Sequence, residues 1–178
     1  MKPQLFKNYM SYLHESWLAA ELGMRVNLSP GVDVIDERKG LEVKSCLVNP
    51  KSQDYGERYY KWTPFDGQWN FPAHYTIPLF WALGVYQMDS KPRRIQSTKP
   101  KILEQHVTER EFWIVSWEWA NQFPVCRGIH HTYKYLNPNP CKKRGLSPIP
   151  RTIHKKAAAK GVIHFTEGVD LRLFDNVL

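Results

Sequence analysis

The chain has 178 residues, 42% of them hydrophobic, which is long enough for one globular domain with a substantial core. A formal net charge of +8, from 25 Lys and Arg against 17 Asp and Glu, favours an anionic partner, nucleic acid before an acidic membrane surface. No apolar run is long enough for a transmembrane helix, no signal peptide is recognisable, and three scattered cysteines do not make a disulfide framework, so we expect a cytoplasmic protein without membrane association.

The first predicted element is an amphipathic helix over residues 3–22. Apolar residues recur every four positions from Leu5 to Trp17, which is the spacing of one helix face. Pro3 suits the first turn of a helix, and Gly23 suits the position just after the last turn. The pattern therefore predicts a helix that packs against the rest of the domain.

Three short strands are predicted after this helix, over residues 24–28, 32–36 and 41–48. The turn SPG at 29–31 separates the first two strands. The polar sequence ERKG at 37–40 ends in glycine and supplies a hairpin connection between the second and the third. The order of elements at the start of the chain is therefore helix, strand, strand, strand.

The remainder of the chain has fewer regular patterns. Residues 49–74 are polar and aromatic and too long for a routine connection, so we interpret them as an insert that contacts a polymer or is mobile. Residues 76–88 indicate a buried strand, with a short buried helix as the alternative, and residues 112–120 indicate another strand. The other predictions are a basic polar connection at 89–111, an irregular basic region at 124–151, a basic helix at 151–160 and a short strand at 161–165.

The segment 31–46, GVDVIDERKGLEVKSC, places charged residues inside two apolar runs. Buried charges are costly unless they are paired or bind a metal. Because side chains alternate faces along a strand, Glu42 and Lys44 share one face. Either Asp33 or Asp36 can lie beside them, depending on the strand register. Asp36 adjoins the hairpin loop and suits turn chemistry, so Asp33 is the preferred candidate.

Two carboxylates and a lysine at such a place suit metal-dependent hydrolysis of a phosphodiester. Asp33, Glu42 and the backbone carbonyl of Val43 are oxygen ligands of the kind that Mg²⁺ takes, and Mn²⁺ is expected to substitute. The ammonium of Lys44 can position or activate the attacking water and stabilise negative charge as it develops. An exposed hairpin with a structural Glu–Lys pair is the alternative interpretation.

The string from Asp33 to Glu42-Val43-Lys44 resembles the signature of the PD-(D/E)xK nuclease superfamily, in its restriction-endonuclease-like form with a serine after the lysine. The preceding helix and strand agree with that superfamily, although Val32 stands where the family usually has proline. The resemblance covers about residues 3–88. It implies an α/β fold in which a central mixed sheet is flanked by helices, and it places a single nuclease domain over residues 1–178.

The function implied by the resemblance is that of a Mg²⁺-dependent endonuclease that cleaves DNA, most simply a homodimeric type II restriction-like enzyme with no organic cofactor. Alternatives are a structure-selective nuclease of the Holliday-junction resolvase kind, a homing or repair endonuclease, and a non-catalytic nucleic-acid-binding module. Some relatives place a glutamate from the first helix near the metal. Glu15 is the candidate for that role here, and a solvated helix surface residue is the alternative.

The insert at 49–74 interleaves basic, amide and aromatic residues, a composition that suits phosphate contact, base-edge contact and stacking. A loop packed by its own aromatic residues, or a dimer interface, is the competing interpretation. The predicted DNA-binding residues are Ser45, Lys51, Arg58, Lys61, Gln68, Asn70 and His74.

Zinc is a further option that the sequence argues against. Four residues of the right type lie close together, but they do not form a tight ligand knuckle. These are Cys126, His130, His131 and Cys141.

Overall fold

The structure is a computed structural model that describes residues 3–47, 66–90, 94–95, 99–118, 125–127, 132–134 and 163–165. The helices in these ranges are α1 (Pro3–Glu21), a 3₁₀ helix (Asp66–His74) and α2 (Pro100–His106). The strands are β1 (Arg25–Val26), β2 (Val34–Ile35), β3 (Gly40–Leu47), β4 (Leu79–Met88), β5 (Val107–Ser116), β6 (Val125–Arg127), β7 (Thr132–Lys134) and β8 (Ile163–Phe165).

Six strands form a mixed sheet in the order β1-β2-β3-β4-β5-β8, and β6 pairs with β7 as a separate antiparallel ribbon. The pairs β1–β2, β2–β3 and β4–β5 are antiparallel, whereas β3–β4 and β5–β8 are parallel. The parallel pair β3–β4 requires a crossover connection, and residues 48–78 supply it. The predicted α/β class with a central mixed sheet is confirmed.

Helix α1 packs on one face of the sheet and ends where expected, with Gly23 at a φ of +61°. Its second half forms an apolar cluster with four strands; the buried members are Leu18, Ala19, Leu22, Val34, Leu41, Val43, Phe80, Ala82, Phe112 and Ile114. Its first half packs with α2 over the far end of the same face; the buried members are Phe6, Met10, Leu13, Tyr86, Ile95, Leu103 and Val107. Both α-helices therefore lie on one side of the sheet.

The opposite face of the sheet carries a second apolar cluster. Its buried members are Val32, Leu79, Trp81, Leu83, Val85, Trp113, Val115 and Trp117. Trp81 and Trp117 stack with their ring centroids 4.4 Å apart. Phe71, Tyr75 and Ile77 pack against this cluster, so the 3₁₀ helix and the residues after it cover the face that the α-helices leave open. In the described part of the chain the two α-helices thus flank the sheet on one face, and the 3₁₀ helix lies on the other.

Several predicted boundaries change. The strands predicted at 24–28 and 32–36 shorten to two residues each, and the alternative of a buried helix within 76–88 is wrong because β4 occupies most of that range. The predicted connection at 89–111 contains α2 and the start of β5. The irregular region predicted at 124–151 contains β6 and β7, and the helix predicted at 151–160 lies outside the described residues.

Among the helices that the structure describes, none combines the length and the apolar composition needed to cross a membrane. Cys46 is half-buried in β3.

Candidate active site

Asp33 lies just before β2 and is held against β3 by backbone and side-chain hydrogen bonds. Its amide donates to the carbonyl of Leu41 at 3.0 Å, and its carbonyl accepts from the amide of Asn27 at 2.8 Å. Its Oδ2 accepts a 2.8 Å hydrogen bond from the amide of Val43. The carboxylate of Asp33 therefore meets β3 between Glu42 and Lys44.

Glu42 and Lys44 project from β3 on the face opposite α1, where Glu42 pairs in register with Trp81 of β4. The Nζ of Lys44 donates to Glu42 Oε1 and to the carbonyl of Val43, the latter at 3.1 Å. It also lies 6.0 Å from the centroid of the Trp81 ring. The side chain of Glu42 is 1% exposed and that of Lys44 is 22% exposed, so the lysine is the member of the pair that solvent reaches.

The environment of Glu42 disfavours its ionised form. Burial is the largest cause and raises the pKa of this carboxyl to about 8, against the opposing effect of the Lys44 charge. The charge of the neighbouring Asp33 carboxyl raises the pKa of Glu42 further. Two carboxyl groups within hydrogen-bonding reach of each other form an arrangement that a divalent cation would stabilise.

Glu15 belongs to the same cluster of charges, although it comes from α1. It is half-buried, and burial raises its pKa to about 7, with the charge of Asp33 adding to the effect and that of Lys44 opposing it. The charges of Asp33 and Lys44, which lie outside α1, therefore influence the pKa of Glu15. This placement favours the site interpretation of Glu15 over that of a solvated surface residue.

Gln68, predicted to contact DNA, reaches the site from the 3₁₀ helix. Its Nε2 donates a hydrogen bond to Glu42 Oε1, the same oxygen that accepts from Lys44. The sequence shows no signal for this contact, because 26 positions separate the two residues along the chain. In this structure the amide of Gln68 contacts a site carboxylate.

Ser45, another predicted DNA contact, belongs to β3 but contacts α1. Its Oγ lies 2.9 Å from Nδ1 of His14, a completely buried residue. Burial, together with the nearby charge of Arg110, lowers the pKa of His14 to about 3, so this imidazole is neutral. The Ser45–His14 contact therefore joins α1 to the strand that carries Glu42 and Lys44.

Asp36 is engaged in the turn between β2 and β3. Its Oδ1 accepts from the amides of Arg38 and Lys39 at 2.7 and 2.8 Å, and its Oδ2 is 2.8 Å from the buried Nζ of Lys39. Partial burial opposes ionisation, but these hydrogen bonds outweigh it and lower the pKa of Asp36. Asp33, and not Asp36, is the aspartate beside Glu42.

Of the five other residues predicted to contact DNA, two lie in the described part of the chain. His74 is exposed at the end of the 3₁₀ helix, and Asn70 lies within that helix. Lys51, Arg58 and Lys61 lie outside the described residues, as do His130, His131 and Cys141 of the discounted zinc group.

The residues present fit a divalent cation with oxygen ligands. Glu42 Oε2 is buried and has no hydrogen-bond partner among the described residues, and the carboxyl of Asp33 lies beside it. No group of three or more His, Cys, Asp or Glu that could hold a metal occurs in the described part of the chain. Two carboxylates with a main-chain carbonyl suit Mg²⁺, which commonly keeps waters and substrate oxygens in its remaining positions.

Comparisons of this chain with protein-family models, with curated proteins and with solved structures gave no match. The interpretation of the site therefore depends on its own geometry and on the signature in the sequence.

Proposed function

We propose that this protein is a Mg²⁺-dependent endonuclease that hydrolyses DNA phosphodiesters, with a restriction-endonuclease-like core. The observation that carries the proposal is the convergence of Asp33, Glu42 and Lys44 at one point of the sheet. The hydrogen bond from the Val43 amide to Asp33 and the contact between Lys44 and Glu42 produce that convergence. A purely structural Glu–Lys pair accounts neither for the neighbouring Asp33 carboxyl nor for the buried Oε2 of Glu42, which finds no hydrogen-bond partner among the described residues.

The roles of the residues follow from their positions. Asp33 and Glu42 would hold the cation, with the carbonyl of Val43 as a third oxygen ligand. When bound, the cation supplies charge neutralisation at the phosphate and a lower pKa for the attacking water. Lys44, on the solvent side of the pair, orients that water for in-line attack on phosphorus, with the 3′ oxygen as the leaving group. Glu42 must release its proton before it can act as a ligand.

DNA as the substrate is supported by the net charge of +8 and by the resemblance of the signature to restriction-endonuclease-like enzymes. We propose a homodimer that cuts both strands at a specific sequence in the cytoplasm. The insert at 49–74 immediately follows the strand that carries Lys44, so its basic residues would begin beside the scissile phosphate.

The test of the site is cleavage of plasmid DNA in Mg²⁺ by Lys44→Ala and Asp33→Ala. We expect each variant to lose at least about 10³-fold in rate while retaining most of its DNA binding, because each removes a group that acts on the reacting phosphate. Lys7→Ala, which removes the same charge from an exposed position of α1, is the matched control and should cut normally. Cleavage at the wild-type rate by both site variants would overturn the assignment.

The kind of nuclease is tested by digesting linear phage DNA and a synthetic four-way junction in parallel. Discrete bands from the linear DNA support the sequence-specific enzyme, whereas symmetric nicks confined to the junction indicate a structure-selective nuclease. Absence of Mg²⁺-dependent cleavage across DNA and RNA substrates would instead indicate a non-catalytic binding module.

A further inference from the structure

The backbone that leads into Asp33 is not held by the sheet. Strand β2 begins at Val34, so the polar backbone groups of the buried residue Val32 need partners from elsewhere. Two side chains provide them. The amide of Val32 donates to the hydroxyl of Tyr75 at 3.1 Å, and its carbonyl accepts from Nδ2 of Asn27 at 2.9 Å.

Gly31 makes the contact with Tyr75 sterically feasible. Its φ is +141°, a backbone conformation that residues with side chains rarely adopt. A Cβ at this position would lie 1.9 Å from the Tyr75 hydroxyl oxygen. The hydroxyl therefore occupies the space that a side chain at position 31 would fill, directly against the chain that leads to Asp33.

Tyr75 follows the 3₁₀ helix, and the same helix carries Gln68 to Glu42. One short segment thus makes a polar contact on each side of the pair of carboxylates. Gln68 contacts the Glu42 carboxylate itself, and Tyr75 contacts the backbone one residue before Asp33. Phe71, between them, packs on the apolar cluster beneath, which anchors the segment to the sheet.

We infer that residues 68–75 form a clamp that sets the separation of the Asp33 and Glu42 carboxylates, and that Gln68 and Tyr75 are positioning residues for a divalent cation held between them. This inference rests on the proposed function, since it deepens the account of the same site. Neither residue is a ligand. Gln68 acts through Glu42 itself, and Tyr75 acts through the backbone of Val32, which adjoins Asp33; the hydrogen-bonded partners of metal ligands orient them in this way in general.

The experiment is calorimetric titration of Mn²⁺, as a stand-in for Mg²⁺, into DNA-free protein. Tyr75→Phe removes only the hydroxyl, and Gln68→Met removes the amide at nearly constant length. We expect each to raise the Mn²⁺ dissociation constant by about tenfold or more, in the range found for residues that orient metal ligands. Tyr12→Phe, the same change at an exposed position of α1, is the matched control and should bind Mn²⁺ like the wild type.

A merely structural role predicts a different result. It would lower the melting temperature and leave the Mn²⁺ affinity of the folded protein unchanged, and that outcome for both variants would overturn the clamp. A positioning role also predicts that saturating Mn²⁺ restores most of the cleavage rate in Tyr75→Phe. Because Gln68 and Tyr75 belong to one clamp, the double variant should bind Mn²⁺ only slightly less tightly than the single variant with the lower Mn²⁺ affinity. Fully additive losses of Mn²⁺ affinity would contradict the clamp.

Failure of the proposed function gives a separate result. If the wild type binds no Mn²⁺, or binds it as well as Asp33→Asn does, the cation site itself is refuted and the clamp with it. If the wild type binds Mn²⁺, Asp33→Asn does not, and Tyr75→Phe and Gln68→Met match the wild type, only the clamp is overturned.

Discussion

At the scale of single residues, the most consequential placement is that of Glu42, a carboxyl with 1% of its surface exposed beside a second carboxyl and a lysine. Its pKa is raised to about 8 mainly because burial disfavours the charged form. A neutral Glu42 suits the cation-free protein, and an ionised Glu42 suits the cation-bound one. Under the proposed function, the protonation state of this residue would couple stability to metal binding.

The consequence for pH can be tested with Glu42→Gln, which mimics the protonated form. The pKa of Glu42 is raised from 4.5 to about 8 in the folded protein, so folding retains a proton that the unfolded chain releases in this window. The stability from this group is complete below the unfolded pKa and is lost as pH rises through the folded one. In EDTA the variant should match the wild type near pH 4.5. Near pH 9 the ionised, buried carboxyl of the wild type costs up to about 5 kcal/mol, so the variant should melt roughly 10–20 °C higher there.

The same measurement with Mg²⁺ should reduce this difference in melting temperature at high pH. The cation requires the ionised carboxylate, so it should raise the melting temperature of the wild type near pH 9 and leave Glu42→Gln unchanged. Glu37→Gln, the same substitution at an exposed position in the hairpin loop, is the control. A constant difference between Glu42→Gln and wild type across the pH range would contradict the argument.

At the scale of elements, strand β5 shows how tertiary contacts override a local pattern. Its first half carries Glu109, Arg110 and Glu111, which the sequence indicated as part of a polar connection. In the structure Arg110 is 1% exposed, its guanidinium lies 4.8 Å from the centroid of the Trp17 ring, and it pairs with Glu104 of α2 at 2.5 Å. Helix α2 and the C-terminal half of α1 thus bury the charge of Arg110, which the sequence alone assigns to solvent.

The packing of α1 on the paired strands β4 and β5 depends on the glycine at position 84. Gly84 is opposite Phe112 in the β4–β5 register, and a Cβ at Gly84 would lie 2.2 Å from Cε1 of that ring. Phe112 cannot move freely, since it stacks on Trp17 at 5.6 Å and contacts His14 at 5.5 Å between ring centroids. The missing side chain at Gly84 is therefore what allows α1 to approach the middle of the sheet.

Gly84→Ala should accordingly destabilise the protein by about 2 kcal/mol, the usual cost of adding an atom to a filled core. The measurement is the free energy of unfolding in urea. Adding Phe112→Leu to Gly84→Ala makes room for the new methyl group, so the double variant should be more stable than the sum of the single effects predicts. Strict additivity would show that the ring of Phe112 is not the obstacle.

At the scale of the whole molecule, the dominant property is the net charge of +8. Charge of this size acts on a polyanion through release of condensed counterions, which makes the affinity depend steeply on salt. The described structure accounts for some of the charges in specific pairs, such as Lys39 with Asp36. Much of the basic sequence that we predict to contact DNA, including Lys51, Arg58 and Lys61, belongs to residues outside it.

The salt dependence can be measured by fluorescence anisotropy with a labelled duplex and the Asp33→Asn variant, which keeps the DNA intact. Between 50 and 200 mM KCl the affinity should fall by roughly 10³-fold or more, as expected for about six phosphate contacts. A change of less than about tenfold would show that the positive charge does not contact the DNA backbone and would remove the charge argument for a nucleic-acid partner.

The features that local patterns predict well are those made within short stretches of chain. The apolar period predicts α1 and its end at Gly23, and the hairpin of β2 and β3 follows from a polar connection between apolar runs. The meeting of Asp33, Glu42 and Lys44 belongs to this group, because one hairpin carries all three residues. Strand alternation and a tight connection suffice to bring such neighbours together.

Longer-range features could not be predicted in this way. The path of the chain into β2 depends on the side chains of Asn27 and Tyr75, which hold the backbone of Val32 just before Asp33. The extended start of β5 depends on the burial of Arg110. The residues 124–151 looked irregular because their strands are only three residues long, too short for a periodic signal.

The sequence by itself therefore determined the class of the fold and the pair of acids with its lysine. The tertiary structure decided what surrounds them, namely Glu15 from α1 and Gln68 and Tyr75 from the segment that covers the other face of the sheet, and it raised the pKa values of Glu15 and Glu42. The physical reason is that periodicity records only which face of a strand or helix is apolar. Burial, and with it the energy of a charge, depends on which distant segments cover that face.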